Sequence, residues 1–151
     1  MNLTIIAVGR LKKGPEKSLW DNYAKRLRWP LKLIEVEAKN SFGVEKIKKK
    51  EADLLLSRVP KTSVLVALDQ NGLAVSSVDF SLKIENWQDN GINNLTLVIG
   101  GSDGLDEIVL ERAQLSISLG RMTWPHMMAR VMLLEQLYRT QCILNKHPYH
   151  K

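Results

Sequence analysis

Five short apolar runs recur along this chain, separated by segments with helical spacing, and this alternation limits the possible folds more than any other property. Asn2 to Val8, closed by Gly9, and Leu31 to Glu37 read as the first two strands. Ser63 to Asp69, SVLVALD, is almost uninterrupted in its apolarity, as a strand covered on both faces requires. Leu95 to Ile99 and Leu115 to Leu119 complete the series. Between them, Gly14-Pro15 opens a helix, because proline suits the first helical position. Leu19, Trp20, Tyr23 and Leu27 carry that helix to about Arg28, and Pro30 stops it. A second helix is predicted from Val44 to Val59, with Ile47, Leu54, Leu55 and Val59 inward. A third is capped by Ser76 or Ser77, carries Val78, Leu82 and Ile84 to about Trp87, and closes at Asn90-Gly91. Leu105 to Ala113 is a short fourth. Residues 39–43 read as a loop and Gln70-Asn71-Gly72 as a turn. With no repeat and no linker, the pattern predicts a single α/β domain, 1–151, with a mainly parallel sheet.

A chain of 151 residues can bury a core without disulfide or metal staples. The lone Cys142, inside an apolar helical pattern, reads as a small core residue in a reducing compartment. The opening MNLTIIAVGRLKKG places its charges after the apolar run, the wrong order for a secretory signal, and no run approaches bilayer length. The expectation is a soluble, unprocessed, cytoplasmic protein with no membrane contact.

Lys and Arg exceed Asp and Glu by 22 to 16, a formal charge of +6. Composition alone does not separate a polyanion-binding surface from a solvated basic one. Two clusters sharpen the question. Arg10, Lys12 and Lys13 follow the first strand, at the sheet end where open α/β folds bind ligands, and they can meet phosphate or solvent. Lys46, Lys48, Lys49 and Lys50 stand near a helix start, where cations oppose the macrodipole, so local stability does not account for them. A phosphate-facing patch and a solvated face both would.

Three stretches can carry chemistry. Gly100, Gly101 and Gly104 allow a ligand close to the backbone, but they do not fit G-x-G-x-x-G and no Walker lysine follows; a tight turn explains them equally well. Leu119 to Trp124 sits between a strand and a helix, so its backbone groups are free to read a purine edge while Leu119, Met122 and Trp124 supply apolar walls. Spacing alone favours a loop that merely covers the core. The last helix, His126 to about Asn145, bears two apolar stripes, Met127, Val131, Leu134 and Tyr138 on one, Leu133, Leu137 and Leu144 on the other. The expectation is that the second meets the sheet and the first meets another subunit, with complete burial in one chain as the alternative. Glu135 and Arg139 are spaced to pair. His147-Pro148-Tyr149-His150 lacks zinc spacing, so its histidines suit a base or a phosphate contact, unless the tail is disordered.

Four motifs, IIAVGRLKK, VIGGSDGL, MTWPHMMARVMLLEQLYR and NKHPYHK, together resemble the RlmH, or YbeA-like, family of ribosomal RNA methyltransferases, in family order and over essentially the whole chain. The resemblance implies a SPOUT-class α/β knot: a mainly parallel sheet flanked by helices, with a C-terminal deep trefoil knot that the general rule against knots would have excluded. It implies a homodimer, through the helix 126–145, that transfers the methyl of S-adenosylmethionine to N3 of a pseudouridine in 23S rRNA on assembled ribosomes, without a metal. Cofactor contacts are implied at Leu68, Gly100, Leu119, Gly120, Arg121, Met122, Thr123 and Trp124, reversing the reading from spacing. His126, Arg139, Lys146 and Lys151 fall on the substrate side, the last three as phosphate contacts. Tyr149 and His150 fall at the base, His150 being favoured to take the imide proton. Lys151 stands where some relatives carry arginine and a further acid. The rival readings are a knotted methyltransferase of another RNA, such as tRNA, and a non-catalytic ribosome-binding factor.

Overall fold

The computed structural model describes residues 1–38 and 43–151, so most of the loop expected over 39–43 lies outside the described residues. In chain order the elements are β1 (Asn2–Val8), α1 (Pro15–Arg26), β2 (Leu31–Val36), α2 (Val44–Ser57), β3 (Val64–Ala74), α3 (Ser77–Asp89), β4 (Asn94–Ile99), α4 (Glu107–Arg112), β5 (Leu115–Ser118) and α5 (His126–Leu144). The strands lie in the order β2-β1-β4-β3-β5, and every pairing is parallel. All strands therefore leave the sheet at one edge, and the loops after them are neighbours there.

Strand periodicity divides the buried side chains between two cores. Leu3, Ile5, Ala7, Leu95, Leu97 and Ile99 face one layer, with Trp20 from α1, Phe80 and Ile84 from α3, and Leu133 and Leu137 from α5. Ile6, Val8, Leu65, Ala67 and Val98 face the other, closed by Ala52 and Leu55 of α2 and Val109 of α4. Coverage on both sides is why these strands read as continuous apolar runs.

Two expectations change. Val131 and Leu134 are buried in the first core, and Met127 and Tyr138 pack against it, so the stripe expected to meet another subunit covers its own sheet. The reason is that α5 lies against both α1 and α3 as well as the strands. Its outward line is instead Met128, 43% exposed, followed by Met132 and Gln136.

The second change concerns β3, which continues through the expected turn at Gln70-Asn71-Gly72 to Ala74. A register shift marks the place: Ile117 of β5 pairs with both Leu68 and Leu73, so the intervening residues bulge around it. At Gly72 a Cβ would stand 2.7 to 2.8 Å from the backbone of Ser116 and Ile117, a closeness only glycine permits. Other boundaries move by one or two residues; α4, for instance, starts at Glu107 because the Asp106 carboxylate accepts from the Ile108 amide and caps it.

Candidate active site

Where the exits of β3, β4 and β5 meet, a cavity of about 600 Å³ opens. Its lining brings together Leu68, Gly100, Leu119, Gly120, Met122, Thr123, Trp124 and His126, which are separated by up to 58 positions in sequence. Gly100 lets the loop after β4 fold back on itself: a Cβ there would meet the Gly104 carbonyl carbon at 2.7 Å. Gly101 and Gly104 close that fold with an antiparallel bridge. Met122 is 74% exposed and Trp124 is 38% exposed, so they offer apolar surface to the cavity rather than covering the core. Ser118 Oγ accepts from the Gly120 amide at 3.1 Å and holds the start of the segment. Among the described residues, the amides of Arg121, Met122, Thr123 and Trp124 make no backbone hydrogen bond, which leaves them available to a ligand. Arg121 alone of this segment does not line the cavity and is exposed.

Glu51 of α2 stands behind the glycine loop, its carboxylate oxygens 3.4 Å from where a Cβ of Gly101 would be. Burial, and then the nearby Asp103 carboxylate, push its pKa above the usual carboxylate value.

The tail forms a second cluster. After α5, Lys146 takes a left-handed backbone conformation, φ 52°. The His147 amide donates to the Cys142 carbonyl at 2.8 Å and the Lys146 amide to Ile143 at 3.0 Å, closing the helix in a Schellman-type turn. This reversal sends the last residues back along α5. The Tyr149 ring then packs edge-on against Tyr138, with centroids 4.8 Å apart, and lies under the Arg139 guanidinium, also at 4.8 Å. Its hydroxyl donates to Glu135 at 3.0 Å and lies 3.5 Å from the hydroxyl of Tyr23. Arg139 donates through Nε to the same Glu135 oxygen at 3.0 Å, and its Nη1 is 3.4 Å from Nδ1 of His150.

A guanidinium has no acceptor, so His150 Nδ1 accepts from Arg139, and the neutral ring carries its hydrogen on Nε2. Burial, followed by the bonds to Tyr23 and Glu135, pushes the Tyr149 phenol far above its ordinary value, so it stays protonated and acts as a donor. The bonds to Glu135 raise Arg139. Sequence reading treated Glu135 only as a partner for Arg139; its signal was the i,i+4 spacing, but the tail that returns to it is a tertiary contact. Lys146 and Lys151 are exposed, and Lys146 serves the backbone turn.

The two sets do not meet within one chain. Glu135, Arg139 and Tyr149 line a different cavity, of about 610 Å³, between α1 and α3 over the outward line of α5. Only Ser118 and Leu119 line both. Among the described residues, no three His, Cys, Asp or Glu side chains are grouped to hold a metal ion, and no helix is long and apolar enough to cross a membrane.

Comparison with known proteins bears on this arrangement. The family model described as predicted SPOUT methyltransferase matches residues 1–150. The ribosomal RNA large subunit methyltransferase H of Rhodospirillum centenum is 48% identical over 151 residues, covering 100% of this chain and 99% of that protein. That of Paramagnetospirillum magneticum is 46% identical over the same span, with the same coverage. The chain belongs to the RlmH family of SPOUT methyltransferases. RlmH membership agrees with two more distant solved structures, each 13% identical, which share the fold. A probable methylase family protein of Haemophilus influenzae superposes with a TM-score of 0.59 over 99% of this chain and 70% of that one. The SpoU methyltransferase AviRb of Streptomyces viridochromogenes, solved with the cofactor AdoMet, gives 0.52 over 93% of this chain and 58% of that one. The RlmH fold is thus the knotted α/β fold expected from the motifs, built on a five-stranded parallel sheet.

Proposed function

We propose that this protein methylates N3 of a pseudouridine in 23S rRNA, using S-adenosylmethionine, as a cytoplasmic homodimer in which residues 1–151 form one catalytic domain. The observation that carries this reading is the convergence of Leu68, Gly100 and the segment from Leu119 to Trp124 on one cavity, in a chain 48% identical to a large-subunit rRNA methyltransferase. The cavity fits the cofactor: its glycine loop has no room for side chains at Gly100, its amides are unclaimed, and Met122 and Trp124 supply apolar walls. Bound there, S-adenosylmethionine supplies an already activated sulfonium methyl, so positioning matters more than acid catalysis.

The target imide must lose its N3 proton, which would pass to solvent water since Tyr149, Arg139 and His150 all act as donors here, and the tail cluster suits the resulting anion. Arg139, held by Glu135, presents a fixed positive charge, and His150 presents an Nε2 hydrogen toward a developing imidate oxygen. Tyr149 remains a phenol, orienting Glu135 and covering Arg139. This reading makes His150 a donor, whereas the family resemblance alone had favoured it as the base.

Because the tail cluster and the cofactor cavity have different linings, shared only at Ser118 and Leu119, the proposed complete site takes its other half from a second copy. The groove beside Tyr149 has exposed apolar groups, Leu19 at 50% and Met128 at 43%, suited to a self-complementary contact. The homodimer is therefore proposed through the outward line of α5, with the tail of one subunit facing the cofactor cavity of the other.

Labelled S-adenosylmethionine, offered with large ribosomal subunits, intact ribosomes, free rRNA and tRNA, tests the assignment after the label is mapped. Label at N3 of an rRNA pseudouridine is the expected result. Label on tRNA alone would remove the substrate claim, and no label with no calorimetric cofactor binding would indicate a ribosome-binding factor.

A further inference from the structure

Gly9 and the loop after β1 are fixed from three directions. Arg130 of α5, with no solvent exposure, donates to the carbonyls of Val8 and Gly9 and to Glu35 of β2 at 2.8 Å. Glu35 in turn accepts from the Leu11 amide at 2.6 Å, and the Leu11 side chain is buried in the first core. Gly9 itself, at φ 85°, leaves space where a Cβ would lie 3.9 Å from His126 Nε2. A loop with an anchored backbone exposes Lys12 and Lys13 side by side, and neither carries an ion pair among the described residues. Arg10, by contrast, is paired with Glu37 at 3.2 Å.

This loop adjoins the cofactor cavity. Val8 lies against the glycine loop, its Cγ1 3.1 Å from a Cβ built on Gly101, and His126 lines the cavity itself. From the next strand exit, Lys48 near the start of α2 also lines it, and Lys46 is exposed one turn before Glu51. Cations at that helix start oppose the macrodipole, so local helix stability does not account for them.

Resting on the RNA-methyltransferase reading above, we infer that Lys12 and Lys13, with Lys46 and Lys48, form a preorganised rim that binds the phosphate backbone of the RNA strand entering the cofactor cavity. The anchoring by Arg130 and Glu35 matters because a fixed lysine pair loses less freedom on binding than a mobile one. Such contacts set affinity and register without reading bases.

The test uses the full-length protein and isolated large ribosomal subunits, with binding measured between about 50 and 200 mM salt. Lys12→Gln with Lys13→Gln is expected to weaken binding roughly tenfold and to reduce the log–log salt slope by about one for each lysine lost. Cofactor affinity stays at the wild-type value. The matched pair Lys61→Gln with Lys83→Gln, equally exposed but before β3 and on α3, lowers net charge by the same amount and should leave the slope unchanged. An unchanged slope in the first pair, or an equal change in the second, would overturn the rim. If wild-type protein binds with the expected slope but transfers no methyl group, the function assignment fails and the rim stands.

Discussion

Arg130 and Glu35 meet at 2.8 Å, a guanidinium with no solvent exposure against a carboxylate that keeps 29% of its own. Burial pulls the arginine below its ordinary pKa and Glu35 holds it up, so the ion pair keeps the buried charge tolerable. Glu35→Leu removes the only carboxylate partner among the described residues and also frees the Leu11 amide. Chemical denaturation should show a loss of about 3–5 kcal/mol, as for a buried pair broken from one side. A loss below about 1 kcal/mol, the range of surface pairs, would mean that water reaches the guanidinium.

Glu135 collects the hydroxyl of Tyr149 and two nitrogens of Arg139. Glu135→Gln keeps the shape but removes the charge that fixes the guanidinium. Single-turnover methyl transfer should slow roughly tenfold to a hundredfold, equivalent to about 1.4–2.7 kcal/mol of transition-state stabilisation. Cofactor affinity by calorimetry should not move, since Glu135 does not line the cofactor cavity. A parallel loss of affinity would place Glu135 in folding or cofactor binding.

Glu51 has a pKa raised by burial and by Asp103. With rising pH the unfolded chain releases this proton first, so the folded state binds more protons and stability falls between 4.5 and the raised native value. Glu51→Gln should therefore raise the melting temperature at neutral pH, and the gain should shrink as pH falls through that native value and vanish below about 4.5. A gain that persists in acid would have a source other than titration.

The proposed shared site predicts complementation. Arg139→Ala disables the tail cluster, and Gly100→Val, whose side chain has no room beside Gly104, disables the cofactor cavity. Each homodimer should be inactive. Subunits mixed after dissociation should recover activity, because one of the two sites in a mixed dimer keeps both intact halves. No recovery, with mixed dimers verified by mass, would return both halves to a single chain.

The strands were legible because a parallel sheet covered on both faces demands unbroken apolar runs, as in Leu95 to Ile99. The passage of β3 through Gln70 to Gly72 was not, since those residues carry every local sign of a turn and their strand character comes from β5 alongside. The same limit explains α5. Its stripes are visible in sequence, but α1 and α3 decide which one is buried, and Val131 and Leu134 turned inward. Arg130 gave a signal of its own, a lone charge inside ARVMLL. The tail's histidines read from sequence as a base or a phosphate contact, and the family resemblance assigned Tyr149 and His150 to the substrate; that Tyr149 returns to Glu135 depends on the left-handed turn at Lys146, which nothing in a lysine announces.

Leu119 and Ser118 form a wall common to the two cavities. In the proposed dimer, with cofactor on one side of that wall and the second subunit on the other, the two associations belong to a single thermodynamic cycle. Any factor by which cofactor strengthens pairing is the factor by which pairing strengthens cofactor binding. In that proposed dimer, dilution would weaken cofactor binding by the same factor by which cofactor depletion weakens pairing.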